Sequence, residues 1–385
     1  MIFATDVVFR IFLSAVCCAT SSAASTPALP LTDVFTGGRD GYHTYRIPAL
    51  VVAGDGVLLA FCEGRRGGRS DAGDIDLLTK RSTDGGKTWT PQQVVWDDGE
   101  NTCGNPCPVV DRTTGTVWLL LTWNHGKDTE SQIMQNTAKD TRRVFVVSSD
   151  DNGLTWSKPR EITGEVKRPE WTWYATGPGI GIQLTAGEWK GRLLIPCDHS
   201  CAEASGSNAY GSHVIYSDDH GRTWQLGGII RPAVNECQVV ELTDGTLLIN
   251  MRNYDRSQTT RALATSTDGG LTWSAIRHDP TLVEPVCQAS LLRYATKPPR
   301  LAFSNPAHGE SGKRQDMTIR VSMDEGRTWP IRRVLWPGPA AYSCLAVLPD
   351  GDLACLFEAG EKNPYERIVM ARIECNRLDG LEQSR

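Results

Sequence analysis

An arginine set against a buried strand is costly unless an anion meets it, and this chain repeats that arrangement. Tyr45-Arg46-Ile47-Pro48 runs straight into the apolar Ala49-Leu50-Val51-Val52. Ile249-Asn250-Met251-Arg252-Asn253 ends a β-type run on a second arginine, and Lys313-Arg314 follows Asn305-Pro306 with a third. A charge-dense loop, Glu63-Gly64-Arg65-Arg66-Gly67-Gly68-Arg69-Ser70-Asp71, leaves the run Val57–Phe61. Asn235-Glu236-Cys237-Gln238 carries a carboxylate into Val239-Val240, and Trp336-Pro337-Gly338-Pro339-Ala340-Ala341-Tyr342-Ser343 leads to a tyrosine. Planar guanidiniums bind carboxylates through paired, charge-assisted bonds, so arginines gathered at one place would recognise a small anion.

The elements that would gather them show as a repeated phrase. Ser-x-Asp-x-Gly-x-Thr-Trp occurs at Ser82–Trp89, Ser149–Trp156, Ser217–Trp224, Ser266–Trp273 and Ser322–Trp329. Asp holds backbone N–H groups of a turn, Gly supplies a positive φ, and Trp packs against the neighbouring layer. β-type runs flank the phrases, as in Val144–Val147 and His213–Tyr216. The mean spacing is 60 residues ((322 − 82)/4), and residues 26–385 make six such units. About 60 residues hold four short strands and a loop, and radial repetition of such sheets is a β-propeller. The expectation is all-β: one six-bladed propeller over 26–385, four antiparallel strands per blade, these Asp boxes at the blade turns. Their aspartates read as scaffold, so chemistry belongs to the segments that break the repeat.

Composition excludes other classes. Lys plus Arg number 40 against 45 Asp plus Glu, a net charge of −5, which argues against nucleic-acid binding. Twelve Trp, 37 Gly and 21 Pro oppose a helical bundle. No apolar run reaches the length of a transmembrane helix. The stretch Ile11–Ala24 after Arg10 reads as a secretory signal peptide cleaved near Ala24, giving a signal segment 1–25 and an exported mature chain. Of the ten remaining cysteines, Cys103/Cys107 and Cys197/Cys201 are close enough to suggest local bridges, with pairing left open. Neither pair has a partner pair at zinc-finger spacing.

The wording YRIPAL at 45–50, the five boxes, the arginines of INMRN and GKRQD, and the tyrosine of GPAAYS together resemble the exo-α-sialidases of glycoside hydrolase family 33. The resemblance runs from about Gly37 to Glu358. It implies that Arg46, Arg252 and Arg314 clamp the substrate carboxylate and that Glu358 is the acidic partner of the first arginine. It makes Tyr342 the nucleophile, Glu236 its proton acceptor and Asp71 the acid/base, with Asp74 and Asp76 as nearby rivals. Arg65 matches an arginine that reaches a ring hydroxyl. Asn105-Pro106-Cys107-Pro108 matches a segment lining the N-acyl pocket, and Asp198-His199 a rim position. Tyrosine-nucleophile sialidases are an exception to the paired-carboxylate rule for glycosidases. The implied activity is retaining hydrolysis of terminal α-linked sialic acids from glycoproteins, glycolipids or oligosaccharides, by a monomer without cofactor or metal.

Three alternatives share this site. A trans-sialidase would exclude water and use acceptor aromatics, for which Trp123 and Trp173 are candidates. A non-catalytic sialoglycan-binding propeller would be expected to lose Asp71, Glu236 or Tyr342, and all three are present. Specificity for a different nonulosonic acid would keep the arginines and change the N-acyl pocket.

Overall fold

The computed structural model describes residues 1, 29–308, 312–375 and 378; apart from Met1, the expected signal segment lies outside them. The chain is all-β, as expected, and each strand pairs mainly with its sequence neighbours. An eight-stranded sheet holds two meanders, Thr44–Val52 to Gln93–Trp96 and Thr102–Val110 to Arg160–Glu161, which meet through one parallel pair, Ile75 with Thr102. A five-stranded sheet runs from Trp171–Thr176 to Gln225–Ile230, and a four-stranded one from Val234–Glu241 to Arg277–Val283. In the seven-stranded sheet the 17-residue strand Ile331–Val347 ends one meander and begins the next. Leu31–Thr36 then pairs antiparallel with Arg367–Ile373, joining the first strand to the last.

The first strands of the meanders pack on one another. Thr44–Val52 lies against Thr102–Val110 and Ile331–Val347, and Val234–Glu241 against Ser290–Thr296 and against Leu193–Cys201, the second strand of its own meander. First-strand residues such as Leu50 and Cys344 join second-strand residues such as Leu58 and Leu356 in buried clusters between sheets. Five of the first strands also break register with their second strand. The breaks fall between Arg46 and Ala49, Gly104 and Cys107, Trp171 and Tyr174, Val234 and Cys237, and Ala340 and Ser343. A β-bulge re-aims the side chains it carries.

The five repeated phrases all lie between the third and fourth strands of a meander. In each, the Gly backbone N–H donates to the Ser hydroxyl at 2.8–2.9 Å. Asp268 accepts from Thr272 N at 2.9 Å and Thr272 Oγ1 at 2.5 Å, and the other four aspartates do the same with their Thr. The Trp rings close against core clusters, Trp224 and Trp329 being buried. Bonds from Thr155 hold the carboxyl of Asp151 down at about 2. A depressed folded-state pKa stabilises above the unfolded value near 4 and loses that stabilisation as pH falls through the folded one. Asp268→Ala is expected to cost about 1–2 kcal/mol, discounted for exposure, and to lower Tm by a few degrees. Turnover per folded molecule should be unchanged, because the turn lies away from the first strand of its sheet. A stable but inactive variant would contradict the scaffold role.

The local-bridge suggestion is corrected. Cys103 and Cys107 share the strand Thr102–Val110, and Cys197 and Cys201 share Leu193–Cys201. Four residues along a strand span about 13 Å, well beyond disulfide reach of about 7 Å. The nine buried cysteines, from Cys62 to Cys355, are free. Among the described residues no helix is long and apolar enough to cross a membrane, and no cluster of three His, Cys, Asp or Glu could hold a metal ion.

Candidate active site

The bulges gather the charged residues at the centre. Ile47, a β-branched residue at φ 63°, sits beside Pro48 in the first break. Such a φ is strained for isoleucine, and Pro, lacking an N–H, is tolerated at a bulge. Glu358 holds this kink from the strand Leu353–Ala359. Its Oε1 accepts from Arg46 Nε at 3.0 Å and Ile47 N at 2.9 Å, while Oε2 accepts from Arg46 Nη2 at 3.3 Å and Tyr342 N at 3.1 Å. One fully buried carboxylate therefore ties two bulges together.

Tyr342 Oη donates to Glu236 Oε1 at 2.5 Å, and Arg252 Nη1 donates to Glu236 Oε2 at 2.7 Å and to Tyr342 Oη at 3.2 Å. The Arg46 and Arg314 guanidinium carbons lie 5.1 and 5.7 Å from the Tyr342 ring centre. Burial and the Glu236 charge push the phenol above its ordinary range against the pull of the three arginines. This favours the protonated phenol. Arg314 donates to Tyr365 Oη at 3.1 Å and to the Val286 carbonyl at 2.8 Å. Unlike Arg46 and Arg252, it pairs with no carboxylate among the described residues, so the trio retains positive charge for an incoming anion.

Asp71 stands at the mouth, its side chain 60% exposed, 2.7 Å from Arg65 Nη1 and 3.5 Å from Arg46 Nη1. Burial pushes its carboxyl up, but Arg65 and Arg46 outweigh that and hold it below the usual range. Arg65 is itself buried, held by Glu63 at 3.0 and 2.5 Å, and donates to the carbonyls of Arg69 and Ser70 at 2.7 and 3.0 Å. It thus shapes the loop that carries Asp71. The rivals are engaged elsewhere: Asp76 accepts from Tyr42 Oη at 2.5 Å and Arg66 at 2.7 Å, and Asp74 pairs with Arg66 at 3.1 Å.

Asp71, Glu236 and Arg252 line a cavity of about 150 Å³ together with Asn105, Arg142, Trp173, Asp198 and Tyr254. The rim expectation for Asp198-His199 is corrected. Asp198 is 1% exposed and lines this cavity, whereas His199 stacks on Trp171 at 3.8 Å inside its sheet. Successive strand residues point to opposite faces, so the two could not share a role. Trp173 lines the cavity, but Trp123 does not; its Nε1 bonds Asp98 Oδ2 at 2.7 Å. Sequence reasoning missed Glu63, Arg142, Tyr254 and Tyr365. Glu63 was recoverable, since two residues apart on a strand it shares a face with Arg65.

A profile of the family described as "BNR repeat-like domain" matches residues 56–355. The "Sialidase" of Micromonospora viridifaciens is 38% identical over 354 residues, spanning 88% of this chain but 53% of the relative. The "Exo-alpha-sialidase" of Aspergillus fumigatus is 35% identical over 365 residues, covering 86% of this chain and 84% of its own. The solved structure of "Hadza microbial sialidase Hz136" superposes with a TM-score of 0.80 at 32% identity, over 90% of this chain and 69% of that one. With this propeller-type architecture, these matches and the BNR repeats, the chain belongs to the sialidase family.

Proposed function

We propose that the protein is a retaining exo-α-sialidase on a six-bladed propeller, releasing terminal α-linked sialic acid through a covalent Tyr342 intermediate. The observation that carries this is the contact of Tyr342 Oη with Glu236 at 2.5 Å inside a ring of three arginines. Counting the eight- and seven-stranded sheets as two meanders each, beside the other two sheets, supports six blades.

Sialic acid bears a carboxylate on its anomeric carbon, and Arg46, Arg252 and Arg314 receive it. Oη of Tyr342 attacks that carbon while its proton passes to Glu236, and Asp71 protonates the departing oxygen. A carboxylate nucleophile would meet the substrate's own negative charge; a phenol does not carry one until its proton leaves. Asp71 begins ionised between two guanidiniums, and the arriving carboxylate draws Arg46 away from it, favouring uptake of the needed proton. In the second step Asp71 takes a proton from water, the hydroxide attacks the anomeric carbon, and the phenolate recovers its proton from Glu236. Two displacements retain the configuration.

A fluorogenic aryl α-sialoside should be hydrolysed by the purified chain, and no turnover by folded protein from about pH 4 to about pH 8 would refute the reading. Replacing Arg46, Arg252 or Arg314 with Lys keeps charge and loses the planar fork. Each change should lower kcat/KM by about tenfold or more, about 1.4 kcal/mol. A near-wild-type Lys variant would remove that arginine from the clamp.

A further inference from the structure

With the carboxylate held by the arginines and the anomeric carbon over Tyr342, the sugar's orientation is set. In a six-membered ring of this kind the carbon opposite C2 is C5, the position that carries the N-acyl group. The cavity that Asp71, Glu236 and Arg252 line together with Asn105, Arg142, Trp173 and Asp198 is the space we assign to that C5 substituent.

Its walls are unusual for an acetyl methyl. Arg142 is buried, yet each of its hydrogen bonds goes to a neutral oxygen: Asn124 Oδ1 at 2.5 Å, Thr122 Oγ1 at 2.9 Å, and Asn105 Oδ1. Its Nε has no partner, and its guanidinium lies 4.0 Å over the Trp173 ring. Asn105 is the residue that the resemblance puts at the N-acyl pocket, and here it is drawn into this cation's shell. Across the cavity Asp198 accepts from Asn235 Nδ2 at 2.7 Å, and its buried Oδ2 has no partner. Burial, with the charges of Glu236 and Glu130, raises that carboxyl above its ordinary range, which favours the protonated form that can donate. A methyl placed here would keep water from an incompletely bonded guanidinium and a carboxyl without replacing its bonds, which is costly. A hydroxyl can accept from one and bond the other.

We propose, resting on the sialidase reading, that this cavity selects a nonulosonic acid with a hydroxyl at C5 in place of the acylated amine, read by Arg142 and Asp198. A site built to bond a hydroxyl discriminates more strongly than an apolar pocket does.

The test compares three aryl α-glycosides that differ only at C5: hydroxyl, N-acetyl and N-glycolyl. The hydroxyl substrate should be favoured in kcat/KM by tenfold or more, and a smaller ratio, or preference for either acylated sugar, overturns the proposal. Arg142→Ala and Asp198→Ala should each lower that ratio severalfold, chiefly through KM for the hydroxyl substrate. Unchanged ratios in folded variants would overturn the assignment of those residues, and should Arg142→Ala not fold, Asp198→Ala and the wild-type comparison still decide. If none of the three is turned over, the hydrolase reading fails by itself. Calorimetric binding of the 2,3-unsaturated form of each sugar then judges the cavity: tenfold tighter binding of the hydroxyl form supports it, and equal or absent binding overturns it.

Discussion

Tyr342→Phe should lower kcat by on the order of 10³-fold or more on aryl and natural sialosides alike, because no other group can form the covalent intermediate. The change removes one oxygen. The ring keeps its place beside Arg46 and Arg314, and Glu236 keeps its bond from Arg252. The structural cost is the lost donor to a buried carboxylate, about 1–3 kcal/mol, so circular dichroism should show a folded protein of lower Tm. The vacated space beneath the anomeric carbon is about the size of a water. Residual turnover should therefore go by single displacement and release the inverted anomer, readable by proton NMR immediately after mixing. Retained configuration at more than about a tenth of wild-type kcat would remove Tyr342 from the nucleophile's role.

The parts of this site that were readable in the sequence are those whose chemistry is local. Each Ser-x-Asp-x-Gly-x-Thr-Trp turn bonds itself within eight residues, so five copies announced the repeat without any knowledge of packing. Ile47-Pro48 and Asn105-Pro106 likewise mark strands that must bulge, since Pro cannot donate to a ladder. What could not be read is convergence. Trp173 and Asp198 lie on two strands of one sheet and Arg142 just before the strand Arg143–Ser149 of another, and each looks ordinary in its own stretch. Alternation says that Asp198 and His199 face opposite ways, but not which face meets the centre; His199 is the one turned into the sheet, against Trp171. The cysteine spacings misled for the same reason, because closeness in sequence along a strand is distance in space.

Asp71→Ala should divide substrates by leaving group. A natural sialyl-oligosaccharide departs as an alkoxide unless protonated, so its kcat/KM should fall by about 10²–10⁴-fold, the usual worth of a positioned acid. An aryl sialoside with an acidic phenol leaves unaided, and its first step should be nearly unaffected. The second step then limits, since no base remains to activate water. A burst of phenol followed by slow turnover should appear, and azide or formate, small enough to enter beside Arg65, should speed that slow phase. The pH dependence supplies an independent check. Arg65 and Arg46 hold the free carboxyl below its usual range, so the protonated form is scarce at neutral pH. Wild-type kcat/KM on the oligosaccharide should therefore rise as pH falls, and Asp71→Ala should lose that slope. Removing Asp71 also leaves Arg46 with Glu358 alone, which frees it for the substrate carboxylate, so KM for the aryl sialoside should not rise. Equal losses on both substrates would reassign the acid despite the pairing of Asp74 and Asp76 with Arg66, because a residue needed only for binding cannot tell a good leaving group from a poor one.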